Sequence, residues 1–181
     1  VAGNHRDAMR FHRCLLSPPI LALIRRRKIS VEPPCAIAVV VSNLLVMLQL
    51  VLIAVIIVAW EGRGIGAAAW IVVAAGAAIG AWALSANRLG NFNVRPEPRS
   101  GGRLVTSGPY RWIRHPMYAA ILVACAGFAA GYAVPWRWAA LAALAAVLVT
   151  KARIEERKMA VAHPDYAAYA RRTRRFVPFI W

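Results

Sequence analysis

Few side chains in this sequence can do chemistry, and they gather in two places. The first is Leu104 to Tyr118, Leu-Val-Thr-Ser-Gly-Pro-Tyr-Arg-Trp-Ile-Arg-His-Pro-Met-Tyr, a polar, aromatic and basic stretch between apolar runs. Pro116 suits the first position of a helix, where its missing N–H and fixed φ cost nothing. That places His115 at a helix N-terminus, where free N–H groups and the positive end of the dipole hold an anion such as a carboxylate or phosphate. Taken alone, His115 is equally a helix cap, and Tyr110, Trp112 and Tyr118 are equally an interfacial aromatic belt. The second place is Glu155-Glu156, the one adjacent acidic pair among seven acidic residues, with Lys151, Arg153, Arg157 and Lys158 around it. Alone, this pair reads as a charge-paired helix end. Together the two places offer an anion site, aromatic faces and carboxylates. A ligand carrying a carboxylate, an adenine-like ring and a positive charge uses all three.

The elements that must position these groups are those of a membrane protein. The chain has 181 residues, 60% of them apolar, and a mean hydropathy of +0.53, more apolar than a soluble domain of this length. A net charge of +16 would suit nucleic acid, but the Lys and Arg residues fall in blocks between nearly uncharged runs, so no nucleic-acid partner is expected. Cys14, Cys35 and Cys125 lack metal-ligand spacing, and no metal site is expected. Residues 1–34 form a basic segment expected to lie on the cytoplasmic lipid surface. It does not read as a signal peptide: the apolar piece from Cys14 to Ile24 is short, broken by Pro18 and Pro19, and followed at once by Arg25-Arg26-Arg27-Lys28. A chain opening on Val is expected to reflect an alternative start codon or a shortened sequence, with Met9 as the candidate start.

The membrane domain is expected over 35–181 and is all-α. Cys35 to Trp60 runs for 26 residues without a charge, where about 20 helical residues cross the hydrocarbon core. Helices are expected at about 35–60, 65–87, 116–132 and 136–158, with a polar loop at 88–115 and a tail at 159–181. Asn43 and Gln49 in the first helix read as interhelical hydrogen-bonding groups. Gly76 with Gly80, and Gly127 with Gly131, allow close helix approach. The third helix is short for a span, so the last pair is expected to tilt or to sink from one side. In the tail, Pro164 followed by Tyr166, Tyr169 and Ala170 on one face predicts a short amphipathic helix at the interface. Seven Lys and Arg fall in the N-terminal block, six in the loop and eight from Lys151 to Arg175, leaving Arg63 and Arg137 on the two opposite turns. Four transmembrane helices with both termini cytoplasmic satisfy the positive-inside rule and bring His115 and Glu155 to the same face.

Leu104-Val-Thr-Ser-Gly-Pro-Tyr110, Arg114-His-Pro-Met-Tyr118, Glu155-Glu156, Tyr166-x-x-Tyr169 and Pro178-Phe179, in that order, resemble the isoprenylcysteine carboxyl methyltransferase family. Its wider clan includes bacterial relatives and phospholipid N-methyltransferases. The resemblance covers about Asn87 to Trp181. It implies an integral-membrane enzyme of the bacterial inner membrane. S-adenosylmethionine would bind without a Rossmann domain, between the loop before the third helix and the end of the fourth. Matched position by position, it implies cofactor contacts at Gly102, Arg103, Leu104 and Val105, at Tyr110, at His115, Pro116, Met117 and Tyr118, and at one or both of Glu155 and Glu156. It also implies a basic residue facing the substrate, Lys151 or Arg153. Where that family has Gly two positions after the motif tyrosine, Ala120 stands here.

Methyl transfer from a sulfonium is an in-line displacement that disperses charge, so a water-poor site and correct orientation supply much of the catalysis. No dedicated general base is legible, which favours a carboxylate acceptor or one that loses its proton to water. The leading expectation is a membrane methyltransferase with a lipophilic or small apolar acceptor, of the isoprenylcysteine carboxyl O-methylating kind. A phospholipid N-methyltransferase and a small-thiol S-methyltransferase are alternatives. Two readings of other classes are an NADPH-dependent sterol-reductase-like protein, whose members are larger, and a non-enzymatic membrane scaffold.

Overall fold

A computed structural model describes residues 36–58, 64–87 and 104–178. The basic segment 1–34, Gly102 and Arg103 of the loop, and Phe179 of the tail lie outside the described residues. Five α-helices and no strand occur among those described: α1 Ala36–Ile57, α2 Ala67–Ala86, α3 Pro116–Tyr132, α4 Pro135–Ala162 and α5 Tyr166–Arg172. A short 3-10 turn, Gly108–Arg111, precedes α3.

α1 and α2 are apolar on every side, a pattern found in buried core helices and in membrane spans. Their bare faces decide between the two. Only 17% of each candidate span, Val39–Ile57 and Ala67–Ala86, is buried, and Leu44 and Ile71 are 63% and 71% exposed. Such surfaces are stable in hydrocarbon and costly in water. These two helices are long and apolar enough to cross a membrane; α3, with 17 residues, falls below that length. In α4 the apolar character ends where charge begins at Lys151.

Small residues join α2 to α3. A Cβ added at Gly76 would come within 2.6 Å of the Ala124 backbone nitrogen, and one at Gly127 within 2.8 Å of Val73. Both backbones therefore approach closely, as glycines in membrane helix pairs allow. Ala120 belongs to this seam. Its carbonyl lies against Gly76, and a Cβ at Gly80 would meet its methyl at an ordinary 3.5 Å. The extra methyl at position 120 thus occupies space that Gly80 leaves.

At the junction of α1, α3 and α4, Ile56, Cys125, Leu144 and Leu148 form a buried core. α3 closes with Ala133 in the left-handed region, φ 53°, and Pro135 opens α4 as its first residue. Arg137 is more than the lone turn charge that the sequence suggested. It is fully buried, its guanidinium donates to the Ile56 and Val58 carbonyls, and it lies over the rings of Tyr132 at 3.9 Å and Trp136 at 4.7 Å. It caps the end of α1, where carbonyls have no helical partner.

Candidate functional site

The site is built where the loop before α3, the charged end of α4 and the tail after α5 meet. α3 begins at Pro116 with His115 as its N-cap residue. The tail runs beside the loop: Arg114 N–H donates to Arg174 O (2.7 Å), Arg174 N–H to Trp112 O (2.9 Å), and His115 N–H to Arg175 O (3.0 Å). A single parallel bridge, Ile113 to Arg174, results. α5 holds the tail in place by burying Tyr166 and Tyr169, and the Tyr169 hydroxyl donates to Tyr110 O at 2.8 Å. The amphipathic helix thus turns its aromatic face onto the loop rather than into lipid, and leaves Arg171 and Arg172 exposed. Burial holds the Tyr110, Tyr166 and Tyr169 hydroxyls above their usual range, so they serve as neutral hydrogen-bonding groups.

The two glutamates have different surroundings. Glu156 is saturated: Arg114 Nε donates to it at 2.8 Å, Arg175 Nη2 at 3.0 Å, and His115 Nε2 lies at 3.3 Å. Burial alone would raise its pKa, but hydrogen bonds from His115, Arg175 and Arg114 outweigh it and hold the carboxyl well below the usual range. Arg114 also donates to Ala170 O and Thr173 O, which ties α4, the loop and the tail into one knot. Glu155 is more open. Its side chain is 35% exposed, against 14% for Glu156. It accepts from the Tyr118 hydroxyl at 3.3 Å, and His115 Nδ1 lies 3.6 Å away.

Around Glu155 the aromatic groups are ordered. The His115 and Tyr118 rings stack at 5.3 Å with 6° between planes, and Phe176 lies 5.7 Å from His115. Lys151 and Arg153, which the sequence left as alternatives, separate. Lys151 is 1% exposed and places Nζ 5.5 Å from the Tyr118 ring centre, whereas Arg153 faces outward. Pro116 is buried, Met117 and Tyr110 are half-buried, and Leu104 and Val105 line the start of the described loop, also half-buried.

One expectation changes. His115 was read as sitting among several free N–H groups, but its own N–H is taken by Arg175 O, Pro116 has none, and Tyr118 and Ala119 N–H return to His115 O. Met117 N–H makes no backbone hydrogen bond among the described residues, and both His115 ring nitrogens face carboxylates. Arg114, Arg175 and Phe176 are site residues to which the sequence reading gave no role. Arg114 was quoted only as the opening residue of Arg114-His-Pro-Met-Tyr118, and Arg175 was indistinguishable from its neighbours in a basic block. Among the described residues, no three His, Cys, Asp or Glu side chains gather to hold a metal ion.

Comparison with known proteins adds two findings. The profile of the phospholipid methyltransferase family matches residues 37–165. The cobalt-zinc-cadmium resistance protein CzcN of Cupriavidus metallidurans is 44% identical over 85 residues, which is 44% of this chain and 38% of that protein. The similarity to CzcN thus spans less than half of either chain.

Proposed function

This chain belongs to the phospholipid methyltransferase family, and from that premise we propose that it is an integral-membrane methyltransferase using S-adenosylmethionine, with a lipophilic or small apolar acceptor. The observation that carries the reading is the contrast at the end of α4: Glu156 is bound into the fold, while Glu155 stays accessible beside stacked His115 and Tyr118. The donor set fits the cofactor. An accessible carboxylate suits its ammonium group, aromatic faces suit adenine and a sulfonium, and the Met117 N–H suits a carboxylate. When bound, S-adenosylmethionine supplies an electrophilic methyl group on positively charged sulfur.

The chain's own residues orient and exclude water. Glu155, Tyr118, Tyr110 and Met117 form the cofactor wall in this reading, together with His115 and Pro116. Leu104 and Val105 complete it from the loop. The Glu156 knot is a positioning device that holds His115 and the tail in register. Lys151 faces the acceptor side. The reading includes four membrane crossings, with both termini and the site on the cytoplasmic face of a bacterial inner membrane. It favours carboxyl methylation, because a carboxylate acceptor needs no base and the reading already assigns Glu155 to the cofactor.

Incubating membranes containing the protein with methyl-labelled S-adenosylmethionine tests this. We expect label in lipophilic or small apolar products, lost on Glu155→Gln. Base treatment separates acceptors, since methyl esters release methanol whereas methylated amines and thioethers keep the label. Labelling equal to that of protein-free membranes would overturn the reading.

A further inference from the structure

We infer that Gln49, on α1 and outside every motif of the C-terminal half, is the positioning residue that aims the Lys151 ammonium at an oxyanion-bearing acceptor. This rests on the methyltransferase reading above. Gln49 lies at the middle of the Val39–Ile57 span and is 8% exposed. Its Oε1 accepts from Lys151 Nζ at 2.5 Å. A lysine can only donate, so the amide must turn its oxygen to Lys151 and keep its N–H donors for another acceptor.

A charged side chain at this depth is costly unless it serves a site. A tie between helices does not require one, because a neutral amide pair or apolar packing would join α1 to α4 at lower cost. Lys151 instead stands between Gln49 and the Tyr118 ring, and Tyr118 is the residue whose hydroxyl reaches Glu155. Lys151 therefore adjoins both Gln49 and the Tyr118 ring, four residues before Glu155 on the same helix. This arrangement suits an amphiphile whose phosphate or carboxylate oxygens meet Lys151 and Gln49. Its tail would lie among the apolar helix faces.

The test uses the full chain in uncharged maltoside detergent, with dodecyl phosphate and dodecanoate as probes and S-adenosylmethionine titrated separately. Gln49→Glu is the decisive variant, because a carboxylate preserves the tie to Lys151 but cancels its charge. We expect saturable probe binding to wild type, and weakening on the order of tenfold in Gln49→Glu, the scale for loss of one charge-assisted bond. The dodecyl tail is common to both probes, so the tighter one assigns phosphate or carboxylate. Gln49→Leu should weaken binding in the same direction, with S-adenosylmethionine affinity within about twofold of wild type, since its proposed contacts are untouched. Equal probe affinity in wild type and Gln49→Glu overturns the inference, as does absence of binding to wild type. Loss of S-adenosylmethionine binding in wild type with a Gln49-sensitive probe site would instead overturn the methyltransferase reading and leave this site standing.

Discussion

Glu155 and Glu156 are neighbours in sequence with different work, because adjacent helical residues point about 100° apart. Glu156 turns toward Arg114 and Arg175, so Glu156→Gln removes charge-assisted bonds to a carboxylate only 14% exposed. It should destabilise the protein by about 2–3 kcal/mol, read as a lower melting temperature. A carboxyl held below its ordinary value of 4.5 stabilises the fold fully above that pH, and the contribution is lost as pH falls toward its folded value. Wild type should therefore lose melting temperature below about pH 4.5, and Glu156→Gln should lose less over the same window. An identical acid limb in both proteins would mean that the Arg–Glu knot carries no such linkage. Glu155→Gln should leave the melting temperature nearly unchanged and weaken S-adenosylmethionine binding by roughly 1–3 kcal/mol, the scale for one charge-assisted bond. At this scale the glutamate pair and His115 were legible, because both signals are local. The knot was not. Arg114 and Arg175 lie 42 and 19 residues from Glu156, and Lys151 lies 102 from Gln49. A motif marked Arg114 without its partner, and nothing in one sequence ranks Arg175 above the other arginines of its block.

The helix start at Pro116 was marked in the sequence by a residue that suits a first turn, and α4 opens at Pro135, one residue before the expected 136. The direction α5 faces was not, since an amphipathic helix with arginines on one side fits a lipid surface as well as it fits a protein loop. Tyr169 settles it by donating to Tyr110 O. The small-residue pairs were legible as a type of contact, but which helix each meets needed the structure. Gly76 and Gly127 serve the same seam between α2 and α3. Gly76→Ala should cost about 1–3 kcal/mol by overpacking, because its Cβ would strike backbone atoms of Ala124 and Ala120 rather than a yielding side chain. Gly80→Ala, facing only the Ala120 methyl at 3.5 Å, should cost much less. Thermal melting of both variants checks the contrast, and equal losses would dissolve the seam as described.

For the whole molecule, the family match extends through α1 to α4, and the proposed function puts the site at the cytoplasmic membrane face. If the proposed topology holds, a single cysteine introduced near Gly64 or Val134 should react with an impermeant reagent added outside. One at Ser107, beside the site, should react only after the membrane is opened. External labelling at Ser107 would exclude the four-crossing topology. The central claim concerns the ligand itself, and calorimetric titration of S-adenosylmethionine into the purified full-length protein, with NADPH in a parallel cell, tests it most directly. We predict saturable one-site binding of S-adenosylmethionine and none of NADPH. Binding of NADPH alone, or of neither, would contradict it.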